Sequence, residues 1–322
     1  MTLDALSGAN RLIVDAKLRP AIGSTFQPTG FANLGAAEFR RPGRPPSLLV
    51  ESVQSLANHF EALGFDPARR APISLLEELP WVAVRAADDG GEHLTSSREE
   101  PHRLAAAYIR DAQIDGTSGL EWTAERLGLR PRRPLDWRAV YRAVFELDPL
   151  CLLHGVFFSS KGFHGNPKVR RALSAVIEAH DVTQVVSGGL KRDDVQFVSA
   201  EGQRAEEGYG FVPFGRAEYA AEQILFTASI DLAQLRGYGL AEDATRLLTA
   251  LAVWEVVGLL DEPLRLRTAC DLEVESITVR RPKEVDLPSR QELEDAIAGA
   301  GVTFAEPGER TALWSAPAAK KA

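Results

Sequence analysis

The chain has 322 residues, 45% of them hydrophobic and 25% charged, proportions typical of soluble globular proteins that exclude the disordered, collagen-like and fibrous classes. Lys and Arg number 37 against 45 Asp and Glu, a net charge of -8, and this acidic balance argues against generic nucleic-acid binding. Cys151 and Cys270 are too few for a disulfide framework, the start MTLDALSGANR lacks the basic-then-apolar pattern of a secretory leader, and Glu255 interrupts the most apolar stretch, so a soluble cytoplasmic protein with no membrane partner is expected.

In chain order, Arg11 to Arg19 alternates apolar and polar residues, which predicts a strand with one wet face. Glycine and proline then mark loops through AIGSTFQPTGFANLG and RRPGRPP. From Leu48, the positions Leu49, Val53, Leu56, Phe60 and Leu63 predict an amphipathic helix ended by Gly64, whose opposite face carries Gln54, Ser55, Asn58 and His59. Residues 66–149 read as a helix-rich insertion. The apolar run Leu150 to Phe158 predicts a strand, Arg171 to Asp181 a strand or short helix, and 182–216 a protruding hairpin or loop. Glu218 to Leu232 reads as strand, Ala241 to Leu260 as helix, Leu264 to Arg280 as one strand, and 305–322 as a disordered tail. With the insertions set aside, the order is β-α-β-β-α-β. This is an α+β class with a ferredoxin-like or RRM-like palm in one domain, whose open sheet face commonly serves single-stranded RNA.

Asp148, Cys151 and His154 invite a nucleophile reading, but residues three apart on a strand face opposite ways, and buried structural roles are favoured. Cys151, His154 and His164 are too few for zinc, and no phosphate-binding glycine motif precedes a helix, so no metal, cofactor or catalytic residue is expected. The basic residues cluster in two segments, Arg11 to Arg44 and Lys161 to Lys191, which charge alone assigns to solvated surface. Three segments could meet an anion: GSTFQPT after Lys17 and Arg19, with Thr25 and Gln27; the helix start with Ser52, Gln54, Ser55 and Asn58; and SGGLKRDD, with Gly188, Gly189 and Lys191. The first two read as well as an ordinary turn or cap, and the third is weak by itself.

Together FQPTGFANLGAA, LLVESVQSLANHFE, HLTSS, LLHGVFF, RALSAVIEAHDV, SGGLKRDDV, GFVPFGRAEY and LRLRTACDLE resemble, in order and spacing from about Asn10 to Pro288, the backbone subunit of type I-G (formerly I-U) CRISPR effector complexes, of the RAMP superfamily and the seventh Cas protein family. The resemblance implies a palm, a helical insertion at about 66–149 and a thumb-like hairpin at about 182–216. It implies copies lined head to tail along CRISPR RNA, a target DNA strand paired to the guide, other Cascade subunits, and a helicase-nuclease recruited by the complex. It places Lys17, Arg19, Thr25 and Gln27, with Ser52, Gln54, Ser55 and Asn58, on the RNA backbone, and Gly188, Gly189 and Lys191 on a neighbour's RNA segment. Arg170, Arg171, Arg216, Arg265 and Arg267 are further candidates. His59 stands where arginine is expected, and Lys168 and Arg170 where relatives look richer in arginine. No nuclease activity is expected; an RNA endonuclease is the alternative.

Overall fold

Leu12, Val14, Ala16 and Leu18 are buried while Lys17 and Arg19, alternating with them, face out, and this two-residue period makes β1 (Leu12–Pro20) an inner strand of a half-covered sheet. The computed structural model describes residues 3–31, 35–88, 90–192 and 211–316. After β1 come the short β2 (Glu38–Arg40) and β3 (Pro46–Glu51). The helix α1 is Val53–Leu63 and starts later than its periodicity suggested, because Leu48, Leu49 and Glu51 pair in β3 and Ser52 caps the helix. The long strands β6 (Leu173–Arg192) and β7 (Phe211–Ile230) follow the insertion. Then come the helices α5 (Leu232–Gly237) and α6 (Glu242–Asp261).

The predicted single strand over Leu264 to Arg280 is instead a hairpin of β8 (Leu264–Arg267) and β9 (Cys270–Arg281). Ala269 turns it at φ 56°, with no glycine or asparagine to mark the turn. The seven strands run β8-β9-β1-β7-β6-β3-β2, antiparallel throughout. The helices α1 and α6 pack together and cover one face; α6 is apolar on nearly all sides and buried accordingly.

The insertion is mixed rather than helical. It holds β4 (Trp81–Ala86), β5 (His93–Ser96), two short strands at Gln113–Ile114 and Thr117–Ser118, and the helices α2 (Gly119–Arg126) and α3 (Trp137–Leu147). The expected tail supplies a strand to it: β10 (Glu309–Trp314) lies parallel to β4 inside a second sheet of five strands, while residues 317–322 lie outside the described residues.

The apolar run at Leu150 is the helix α4 (Leu150–His154), not the predicted strand. The Asp148 carboxylate accepts from the Leu150 N–H at 3.2 Å, and Gly155 ends the turn at φ 80°. Only Val156–Phe157 is extended.

Candidate nucleic-acid interface

Three elements meet at one end of the main sheet: the loop after β1, the base of the β6–β7 hairpin and the β8–β9 turn. Phe26 and Tyr219 exchange backbone hydrogen bonds at 2.9 Å each, and the Gln27 N–H donates to the Ala269 carbonyl at 2.8 Å. These bonds hold open a cleft of about 520 Å³, lined by Gln27, Gln184, Gly215, Arg216, Tyr219 and Arg267 among others. Gln27, Arg216 and Arg267, singled out in the sequence, are thus brought together.

Both arginines of the cleft are held by carboxylates. Arg216 pairs with Glu218 at 2.5 Å, and Glu218 also accepts from the Thr25 hydroxyl at 3.0 Å. Arg267 pairs with buried Glu51, the residue before the α1 cap, and donates to the Gln27 carbonyl at 3.3 Å. A guanidinium has five donors, so one fixed on a carboxylate keeps N–H groups for a phosphodiester oxygen in a set direction. Sequence reasoning missed Glu51, Glu218, Tyr219, Gln184 and Gly215. Only Glu51 carried a signal, as an acid closing the apolar strand run Leu48 to Val50.

The remaining predicted residues divide. Arg19 does not line the cleft and is paired with Glu273 at 2.9 Å, and Arg265 is exposed, 3.8 Å from Asp271. Lys17 is exposed and makes no ion pair among the described residues. Ser52 caps α1, accepting from the Ser55 N–H at 3.2 Å. Gln54 and Asn58 are exposed on α1, but Asn58 borders a different hollow, with Glu61 and Arg98. Burial lowers the pKa of His59 and so disfavours a charged contact there. Gly188 and Gly189 oppose Gly215 and Phe214 in the hairpin, and Lys191 opposes Val212, its side chain outside the described ones. Residues 193–210 of the expected thumb also lie outside the described residues.

Arg170 and Arg171 do not join this group. They precede β6 at its far end, roughly 40 Å from Gln184 at about 3.3 Å per residue. Arg171 donates to the His154 carbonyl at 3.0 Å, and burial, then repulsion from Arg103, pulls its guanidinium below the ordinary arginine value.

The Asp148, Cys151 and His154 set is sealed in the core, at 1%, 0% and 1% exposure. On α4, Cys151 and His154 stand about one turn apart, against the strand expectation. The His154 ring meets Glu255 at 3.0 Å, and burial, then Asp148, pushes the Cys151 thiol well up. Among the described residues no three His, Cys, Asp or Glu side chains gather as a metal would require, and no helix is long and apolar enough to cross a membrane.

Residues 12–184, more than half of the chain and all of β1 through the hairpin base on β6, match the family model described as CRISPR-associated protein GSU0053. The chain belongs to this CRISPR-associated family. Two solved structures are similar to this GSU0053-family chain. One is described as a CRISPR RNA-guided surveillance complex, pre-nicking, with 13% identity, a TM-score of 0.43 and coverage of 84% of this chain and 75% of that one. The other is Csc2 of Thermofilum pendens, with 10% identity, a TM-score of 0.33 and coverage of 91% and 72%. No curated protein matches the chain.

Proposed function

We propose that the protein is a non-catalytic, cytoplasmic backbone subunit of a type I-G Cascade complex. Its copies line up head to tail on CRISPR RNA and support pairing of the guide with a target DNA strand, beside other Cascade subunits and a recruited helicase-nuclease. Membership of a CRISPR-associated family supports the setting. The observation that carries the RNA reading is the cleft, where two arginines are aimed by fixed carboxylates beside Tyr219. Contacts of this kind engage backbone and carry no sequence information, which suits a subunit accepting any spacer.

The palm reading draws on strand order: β9-β1-β7-β6, with α1 and α6 as the crossings on one face, is the arrangement of a βαββαβ unit. The two strands running on past the sheet support the thumb reading. The heterologous contact needed for a filament is one that does not close on itself.

The test is co-expression of a tagged chain with a CRISPR array and the neighbouring subunits, followed by sequencing of the RNA that co-purifies. RNA of one length, flanked by repeat sequence and protected from nuclease, is expected. Reversing charge at Lys17, Arg19 and Lys191 should release it at lower salt. A random RNA population removed by modest salt would overturn the reading, and cleaved RNA accumulating on long incubation would favour the endonuclease.

A further inference from the structure

The insertion carries a basic surface unused by the cleft. Between Arg130 and Arg142 the sequence places five arginines against one acid, Asp136, in a chain of net charge -8. The turn 130–133 is closed by the Arg133 N–H donating to the Arg130 carbonyl at 3.3 Å, with Pro131 second and Arg132 third at φ 59°. Glycine is the usual residue at such a positive φ. An exposed arginine there costs backbone energy and gives nothing to the core.

The Asp136 carboxylate is occupied with the backbone N–H groups of Arg138 and Ala139, at 3.1 and 3.2 Å. Arg130, Arg132, Arg133, Arg138 and Arg142 are all exposed, and none has an ion pair among the described residues. Beside them Trp137 keeps 39% of its surface exposed, its ring 5.6 Å from Tyr141. Tyr141 in turn lies 4.6 Å from Tyr238, whose hydroxyl donates to the Leu152 carbonyl at 2.8 Å and stands 3.4 Å from the Arg170 carbonyl. Exposed Arg170, stranded from the cleft, therefore belongs to this neighbourhood. So does the loop before it, since an added Cβ on Gly165 would meet Leu135 at 2.7 Å. That loop leads to Lys168, whose ammonium sits 5.4 Å over the half-exposed Phe157 ring.

Unpaired guanidinium groups spaced around exposed aromatic rings are what a phosphodiester chain with unstacked bases requires. We propose that the surface built on the turn 130–133 and α3 is a second polynucleotide-binding site, separate from the hairpin cleft, that takes strand backbone on Arg130, Arg133 and Arg138 and a base against Trp137. Its existence does not rest on the CRISPR reading, which bears only on which strand arrives, guide RNA or DNA.

The experiment titrates the full chain with a labelled oligonucleotide of arbitrary sequence, as single-stranded DNA, single-stranded RNA and duplex DNA, over a range of salt. The triple variant Arg130→Gln/Arg133→Gln/Arg138→Gln should make the single-strand salt slope shallower by about 2, at about 0.7 for each phosphate no longer neutralised. Trp137→Ala should weaken single strands roughly tenfold and leave the duplex unchanged. Arg216→Ala reads the cleft's own share of the titration, and its effect should add to that of the triple variant. A higher affinity for DNA assigns the surface to the target, and a higher affinity for RNA to the guide. Unchanged affinity and slope in the triple variant, with its urea midpoint also unchanged, would overturn the proposal. So would a triple-variant effect that vanishes when Arg216→Ala is already present, because the surface would then be part of the cleft's own groove. If no guide co-purifies with wild type, the titration still reads the site.

Discussion

Asp181 stands 3.2 Å from Arg41 at the residue where β6 leaves the support of β3, and its backbone is turned to φ 54°. The pairing of β3 ends at Ala179, and beyond it β6 has β7 as its partner. Arg41 also donates to the Ser47 hydroxyl at 3.2 Å, and that hydroxyl meets the His180 ring at 3.3 Å. The direction of the hairpin is thus set at its base by the β2–β3 turn on one side and by the Phe26–Tyr219 bridge on the other.

Because the positive φ rather than the half-exposed ion pair is the costly feature, Asp181→Val should lose about 1–3 kcal/mol. Asp181→Asn, a residue that tolerates this conformation, should lose less than about 1 kcal/mol. Urea unfolding measures both. Equal losses would assign the effect to the ion pair.

Arg267→Ala should cost about 3 kcal/mol or more, since it strands the buried Glu51 carboxylate. The double variant Glu51→Gln/Arg267→Gln should recover most of that loss in thermal melts. RNA release by Arg267→Ala alone therefore mixes unfolding with a weaker hold on the strand, and Arg216→Ala is the cleaner probe of the cleft. No recovery in the double variant would show that Arg267 matters for packing and not for neutralising Glu51.

Two histidines predict acid sensitivity. Burial lowers the pKa of His59 from 6.5; burial, then Arg41, lowers that of His180, against the opposing pull of Glu178 and Asp181. A lowered histidine binds fewer protons folded than unfolded, so its stability is complete above the unfolded value and is lost as pH falls through that value toward the folded one. The urea midpoint should fall as the pH drops from about 7 through the ordinary histidine value of 6.5, and His59→Gln/His180→Gln should flatten the fall. A slope unchanged in the double variant would place the acid sensitivity elsewhere.

Gly155 ends α4 at φ 80°, and an added Cβ would meet the Val169 carbonyl at 3.0 Å. Gly155→Ala should destabilise by about 1–3 kcal/mol through strain, read as a lower urea midpoint. An unaffected midpoint would mean that the loop relaxes freely around it.

The strand β1 was legible because its two-residue period runs unbroken, and the helix α6 because an apolar run reaching Leu260 is too long for a strand. The run at Leu150 misled because a buried strand and a buried helix are both continuously apolar. Asp148-Pro149 before it and Gly155 after it were helix boundary signals that outweigh composition. The β8–β9 turn was hidden by Thr268 and Ala269, neither of them a turn-forming type. Of the cleft, the cations were legible and their anchors were not, because a carboxylate's partner across the fold has no local pattern. The arginines at 130–142 were visible by simple counting, but only the structure places Tyr238 and Arg170 beside them.

The position of β10 bears on how the chain is made. In the second sheet β10 lies between β4 and Gln113–Ile114, yet it is synthesised more than two hundred residues after β4. Until residue 314 clears the ribosome, the apolar strand holding Trp81, Val82 and Val84 lacks a neighbour on one side and presents an open edge. Premature termination before β10 should therefore leave the first half of the chain aggregation-prone however well the main sheet has formed.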